Sequence, residues 1–152
     1  NHPFSVPGLS DGGAHMKFLT AAIYPTYFLG TLCRDNNVMS LEKAHWKLSA
    51  YPAQVAGIRD RGHLTEGFGA DIVIYDLDEL DYGPMERLQD FPADDWRLVQ
   101  RPKGYKYIIV NGVVTFTDDS NCTGETPGRF LRNGIASAPP VKVAKLHKKD
   151  VA

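Results

Sequence analysis

Phe4-Ser5-Val6-Pro7-Gly8-Leu9-Ser10-Asp11-Gly12-Gly13-Ala14-His15 decides how this chain is read, because a short apolar run gives way to a carboxylate on a glycine-rich turn. Such a run is expected to form a buried parallel strand, and Gly12-Gly13 lets backbone approach a ligand closely. Asp11 would then stand at the strand's C-terminal end with its carboxylate facing an open cavity. Barrels of alternating strands and helices carry their chemistry at that end. Asp is also a favoured helix N-cap and Asx-turn residue, and the local residues leave both readings open.

The chain has 152 residues, 43% hydrophobic and 23% charged, enough for one modest core. A complete barrel of the strand-end-acid type takes roughly 250 residues. The strand-like segment also begins directly after Asn1-His2-Pro3. The chain therefore reads as the back portion of something longer. A formal net charge of -1 excludes a nucleic-acid or anionic-membrane surface, which needs clustered Lys and Arg. Cys33 and Cys122 form no Cys-x-x-Cys pair, which suggests a reducing, cytoplasmic setting. No apolar run reaches the roughly 18 residues that span a bilayer, and no basic region followed by an apolar one opens the chain. Asn121-Cys122-Thr123 satisfies a glycosylation sequon but is expected to be a loop.

Working outward, Met16 to Leu32 is apolar and aromatic, with Pro25 and Gly30 predicting a broken helix or two short ones. Asp35-Asn36-Asn37 reads as a turn. Ser40 is placed to cap a helix with Leu41, Ala44, Leu48 and Tyr51 on one face. Glu42 and Lys47 complement its dipole, and Pro52 is expected to start a further turn ended by Gly57, making a helix pair. Helical periodicity vanishes near residue 58, where a domain boundary is placed. Ala70-Asp71-Ile72-Val73-Ile74-Tyr75-Asp76 is β-branched and reads as a buried strand. Tyr105–Val110 and Val113–Thr117 flank Asn111-Gly112, the dipeptide best suited to a type I′ hairpin turn. Leu77 to Gly104 is acidic, proline-bearing and aromatic, and is expected to be a loop or irregular insertion. After Pro139-Pro140, Lys142, Lys145, Lys148 and Lys149 show no apolar stripe and suggest an extended tail.

In order along the chain stand Ser10-Asp11-Gly12-Gly13-Ala14-His15, Pro52-Ala53 with Gly57, Asp60-Arg61-Gly62-His63-Leu64, Gly67-Phe68-Gly69-Ala70-Asp71-Ile72-Val73, Val110-Asn111-Gly112 and Thr126-Pro127-Gly128-Arg129-Phe130-Leu131-Arg132. This series resembles the C-terminal portion of the amidohydrolase superfamily, in its D-aminoacylase or N-acyl-D-amino-acid deacylase branch, over residues 5 to 132. The resemblance implies an α/β chain: the C-terminal piece of a (β/α)8 metal-dependent hydrolase barrel, with its last strand and helices, then part of a small β-sandwich. Residues 1–57 would be the end of the barrel, 58–138 the β-sandwich segment and 139–152 an extended tail. It further implies one or two divalent metals, zinc by family habit, and hydrolysis of the amide of a small N-acyl-D-amino acid. Asp11 matches the acid after the last barrel strand. It would act as general base and then general acid, and also as a possible metal ligand.

The family's His-x-His and its later metal ligands are absent from this sequence, so the chain alone is expected to be catalytically incomplete. Its partner would be the remainder of the barrel or a second chain covering exposed strand edges. His2, His15, His45, His63 and His147 show no ligand spacing. His15 and Lys17, close after Asp11, are candidate substrate contacts. Arg34 is a further candidate for a substrate carboxylate, and Phe18, Tyr24, Tyr27 and Phe28 for an acyl pocket. Arg129 and Arg132 are expected to tie the last strand to the barrel by salt bridges. Competing readings are another amidohydrolase, a cyclic-imide hydrolase or deaminase, and a non-catalytic β-rich interaction module whose Ser-Asp-Gly-Gly is only a turn.

Overall fold

Asn111 and Gly112 both adopt positive φ, 48° and 82°, so the chain reverses through the type I′ geometry that their residue types favour. Around this turn, in a computed structural model describing residues 2–8, 10–118, 121–132 and 134, two strands pair antiparallel. We number the strands β1 Ile72–Tyr75, β2 Asp81–Tyr82, β3 Glu86–Phe91, β4 Asp95–Val99, β5 Pro102–Lys103, β6 Tyr105–Val110, β7 Val113–Thr117 and β8 Asn121–Cys122. The main sheet has the order β1-β6-β7-β8 and is antiparallel throughout. Pairing runs Ile108↔Phe116 and then Ile109↔Val114, which leaves Thr115 as the extra residue of a bulge. Its hydroxyl donates to the Ile108 carbonyl at 3.1 Å, satisfying a buried polar side chain.

Helix α1 covers residues 21–35 as a 3-10 turn (Ala21–Ile23), an α turn (Tyr24–Tyr27) and a wide π turn (Phe28–Asp35). The interruption expected from the sequence takes the form of changes in winding, with no gap at Pro25 or Gly30. Pro25 falls in the first α turn, where its missing N–H is tolerated. Gly30 is buried, and a Cβ there would sit 3.2 Å from the Leu80 carbonyl, so this glycine admits a close approach. Helix α2 covers residues 41–55, and Ser40 caps it by accepting from the Lys43 N–H at 3.3 Å. It is one helix, not the expected pair. The widened turn Trp46–Ala50 precedes Pro52, whose ring in a regular α-helix would meet the Leu48 carbonyl. The helix closes as a Schellman motif, Gly57 at φ 72° donating to Gln54 and Ile58 to Ala53.

The core lies between the helices and the turn after β1. Leu29, Cys33, Ala44 and Leu80 are buried together, with Leu41, Leu48, Tyr75 and Tyr105 packed against them. Gly104, at φ 88°, passes so near that a Cβ would lie 2.8 Å from Leu80 Cα.

Four further expectations are corrected. Residues 4–8 form no strand and Phe4 is 82% exposed; a lone parallel strand needs a neighbour's ladder, and none of the described strands supplies it. β1 is an edge strand with Val73 and Ile74 exposed, not a buried one. Residues 77–104 are not a loop: β2 pairs with β5 and β3 with β4. Their apolar alternation is hidden because the hairpin is held by charge and ring contacts, Arg97 forking onto Asp90 (2.6 Å) and Arg87 stacking 4.4 Å over Trp96. The sequon residues Asn121 and Cys122 pair as β8 with β7. The tail 139–152 lies outside the described residues, as does His147. Among the described residues no helix is long and apolar enough to cross a membrane.

Candidate functional site

Asp11 sits in the left-handed region, φ 51°, and its carbonyl accepts from the Ala14 N–H at 3.0 Å, closing a tight turn. Gly13 continues at φ 113°, a conformation that L side chains rarely adopt. The Gly12 N–H donates to Ser10 Oγ at 3.1 Å, and a Cβ on Gly12 would lie 3.2 Å from Ala22 Cβ, so the turn is seated on the start of α1. The Asp11 carboxylate is exposed and has no hydrogen bond or ion pair among the described residues. It caps no helix, since α1 begins only at Ala21, and it forms no Asx turn. A non-glycine residue held at positive φ without a local hydrogen bond to its own side chain is a feature that functional loops accumulate.

The loop that follows is tied to the β3–β4 hairpin. The Leu98 N–H donates to the Met16 carbonyl at 2.7 Å, and Thr20 bonds Gln100 through side chains. Lys17 Nζ lies 2.7 Å from Asp95 Oδ1 and 5.6 Å from the Trp96 ring centroid. Lys17, and secondarily the Trp96 N–H, hold the Asp95 carboxyl below the usual carboxylate range. Both partners are about half exposed, so this pair exchanges partners at little cost. His15 is exposed at φ 37°; its carbonyl accepts from Phe18 and Leu19, and its ring lies 5.1 Å from the Phe18 ring.

Other candidates are employed elsewhere. Arg34 grips Asp35 (Nε to Oδ1, 2.6 Å) and donates through Nη1 to the Leu77 and Leu80 carbonyls at 2.7 and 2.8 Å, so it fastens the core turn and is not available to a substrate. The aromatic set is divided: Phe28 packs on the core, Tyr27 meets Tyr82, and Phe18 lies at the surface. His45 Nε2 is 2.6 Å from the Tyr75 hydroxyl in a groove of about 760 Å³ between α2 and β1. Burial lowers the His45 pKa from its ordinary value, and burial raises that of Tyr75. His63 faces Phe68 edge-on. Asp11 is exposed and lines neither this groove nor the cavity of about 320 Å³ between α1 and the sheet. Among the described residues no three His, Cys, Asp or Glu side chains come together as a metal cluster.

A second convergence was missed by sequence reasoning. Arg61, 9% exposed, lies 3.1 Å from Asp60 Oδ2 through Nη1. Its Nε lies 2.7 Å from Asp71 Oδ2, as an ion pair outside hydrogen-bond alignment, and Nη2 donates to Asn111 Oδ1 at 2.8 Å. Asn111 donates from its backbone to Asp71 Oδ1 (2.7 Å) and from Nδ2 to the Pro127 carbonyl (2.8 Å). Gly69 is glycine because a Cβ there would fall 2.1 Å from Arg61 Cζ. Three of the motifs read in the sequence thus meet at one guanidinium, and a fourth joins them through Asn111. The legible signal was a charged pair set among glycines at 62, 67 and 69. Arg129 and Arg132 form no ion pair among the described residues; the closing segment is tied by Pro127 instead.

Comparison with known proteins agrees with these motifs. An N-acyl-D-glutamate deacylase of Alcaligenes xylosoxydans xylosoxydans is 34% identical over 117 residues, 75% of this chain and 22% of that protein. A D-aminoacylase of the same organism is 29% identical over 130 residues, 84% of this chain and 25% of that protein. Solved D-aminoacylase structures superpose with a TM-score of 0.54 at 28% identity, covering 72% of this chain and 21% of theirs; one concerns a binuclear metal center with one-metal activation and second-metal attenuation. The chain thus spans a quarter or less of the length of these relatives. With the amidohydrolase family model matching residues 1–116, from the Asp11 turn through the Asn111 hub, this chain belongs to the amidohydrolase family.

Proposed function

We propose that the chain supplies the C-terminal section of a metal-dependent N-acyl-D-amino-acid deacylase, with Asp11 as the proton-transferring acid. In this reading residues 1–57 complete a (β/α)8 barrel and 58–138 form part of a β-sandwich, followed by the tail 139–152. The observation that carries it is the Asp11 carboxylate itself, exposed, without a partner among the described residues and held on a left-handed turn. Supporting the sandwich are apolar side chains exposed on both faces of the sheet: Val73 and Phe116 align on one, Ile74 and Tyr107 on the other.

Asp11 offers one carboxylate ligand or base, and the described residues add no complete metal site to it. In the family, zinc or another divalent ion supplies Lewis acidity that brings water toward deprotonation near neutral pH. Asp11 accepts the proton of the attacking water and returns it to the departing amine, the two halves of general base and general acid catalysis. The turn glycines keep side chains away so that substrate reaches the carboxylate. His15 and Lys17, on the same loop, are the candidate contacts for substrate, Lys17 by leaving Asp95 for a substrate carboxylate.

The test is Asp11→Asn in the protein that carries this chain, assayed on N-acetyl-D-glutamate, N-acetyl-D-aspartate and neutral N-acetyl-D-amino acids, with a cyclic imide and an aminopurine as controls. The variant is expected to lose about 10²–10⁴-fold in kcat while its stability changes by less than about 0.5 kcal/mol. Turnover of the cyclic imide or the aminopurine alone would assign the other amidohydrolase reactions. Unfolding of Asp11→Asn with activity retained in the remaining folded fraction would reduce Ser-Asp-Gly-Gly to a structural turn.

A further inference from the structure

Residues 2–8 belong to no helix or strand, yet they lead directly into the Asp11 turn. Their internal bonds are local: the Ser5 N–H and Oγ–H donate to the His2 carbonyl at 3.3 and 2.9 Å, and the Phe4 N–H to His2 Nδ1 at 3.3 Å. Among the described residues, every hydrogen bond from this segment to the rest of the molecule goes to one side chain, Lys47. Lys47 Nζ donates to the Ser5 carbonyl at 2.7 Å, the His2 carbonyl at 3.1 Å and Ser5 Oγ at 3.3 Å.

An ammonium has three donors, and here all three end on one short stretch of chain. Lys47 is 2% exposed and makes no ion pair among the described residues, so it is not the helix-end lysine that its place in the sequence suggests. Burying an ammonium is costly unless polar groups replace its water. Two carbonyls, a hydroxyl and the faces of Trp46 and Tyr51 do so, the rings lying 5.9 and 5.8 Å away and stacked on each other at 4.3 Å. That cost is met only while residues 2–5 stay in place. Ser5 is six residues from Asp11, a reach of at most about 20 Å. Downstream, the Leu98 N–H holds Met16, so the Asp11 turn is strung between two fixed points.

We propose that Lys47 is a positioning residue for Asp11, its buried ammonium fixing the segment that carries the carboxylate into the site. This rests on the reading of Asp11 as the reaction's proton-transferring acid. The variant is Lys47→Met, which keeps the apolar stem and leaves no unpaired charge behind. In the protein that carries this chain, kcat is expected to fall about 10–100-fold, the scale of a small misplacement of a reacting group, with KM changed less than about twofold. In an Asp11→Asn background the same change is expected to add less than about twofold, because the two residues act as one unit. Hydrogen exchange at residues 4–15 is expected to quicken while the hairpin 105–117 keeps its protection. An unchanged kcat, a full additional loss in the Asp11→Asn background, or faster exchange spread over the hairpin as well would each overturn the proposal. If the unmodified protein hydrolyses no N-acyl-D-amino acid, the deacylase reading fails, while the exchange comparison still decides whether Lys47 anchors the segment.

Discussion

Arg61 reaches Asp60, Asp71 and Asn111 with one guanidinium, so its removal takes a buried ion pair from Asp60 and the guanidinium hydrogen bond from Asn111 Oδ1. Breaking a buried pair by deleting one partner costs about 3–5 kcal/mol. Arg61→Met is expected toward the lower end, since Asp71 is 39% exposed and recovers solvation. A urea denaturation midpoint measures it. Arg61→Lys should restore little, because a single ammonium cannot fork between three acceptors. His45 provides a pH test. Burial against Tyr75 lowers its pKa below the ordinary 6.5, with Glu42 opposing. The unfolded chain therefore binds the proton first, so stability is full above pH 6.5 and falls as pH drops toward the lower folded value. Thermal melts between pH 8 and 5 should show this slope in the parent and a shallower one in His45→Gln. The contributions of Asp35, Asp90 and Asp95, whose carboxyls are lowered by Arg34, Arg97 and Lys17, are present above their ordinary 3.8 and are lost only as pH falls below it, outside this window.

At the scale of elements, the hairpin β6–β7 and helix α2 were legible because short-range chemistry specifies them. Asn-Gly tolerates the two positive φ values, and Ser40 with Leu41, Ala44 and Leu48 marks a capped amphipathic face. Gly112→Val should destabilise by more than about 1 kcal/mol, since a β-branched residue resists φ 82°. Ser40→Ala should cost about 1 kcal/mol or less, given a cap bond of 3.3 Å. Both are read from denaturant midpoints. The β2–β5 and β3–β4 pairs were not legible. β2 and β5 are two residues each, and β3–β4 is stabilised by Arg87 on Trp96 and Arg97 on Asp90, contacts between residues that no periodicity links. The strand expected before Asp11 failed for the opposite reason: its composition is strand-like, but a strand exists only with a partner.

Over the whole molecule, the buried core is small and large apolar side chains such as Phe4, Phe18, Val55, Leu64 and Phe130 stand exposed. The chain alone is expected to self-associate or to require a partner surface, which sedimentation across a concentration series measures. It is also expected to retain no stoichiometric zinc after dialysis and to hydrolyse no N-acetyl-D-amino acid. Catalytic zinc takes three protein ligands, and the described residues bring no three candidate donors together. Stoichiometric zinc with turnover would reveal a site that neither the motifs nor the described side chains contain. The sequence by itself determined the family, the hairpin, the α2 cap and Asp11 as the residue to watch, because turn glycines, caps and motif order are local properties that survive without neighbours. Only the tertiary structure decided that three motifs converge on Arg61 with a fourth tied in through Asn111, that Lys47 is buried under the segment before Asp11, and that Lys17 turns to Asp95. Those arrangements join residues up to 78 positions apart, and which charged groups share a buried space depends on how the helices and the sheet pack together.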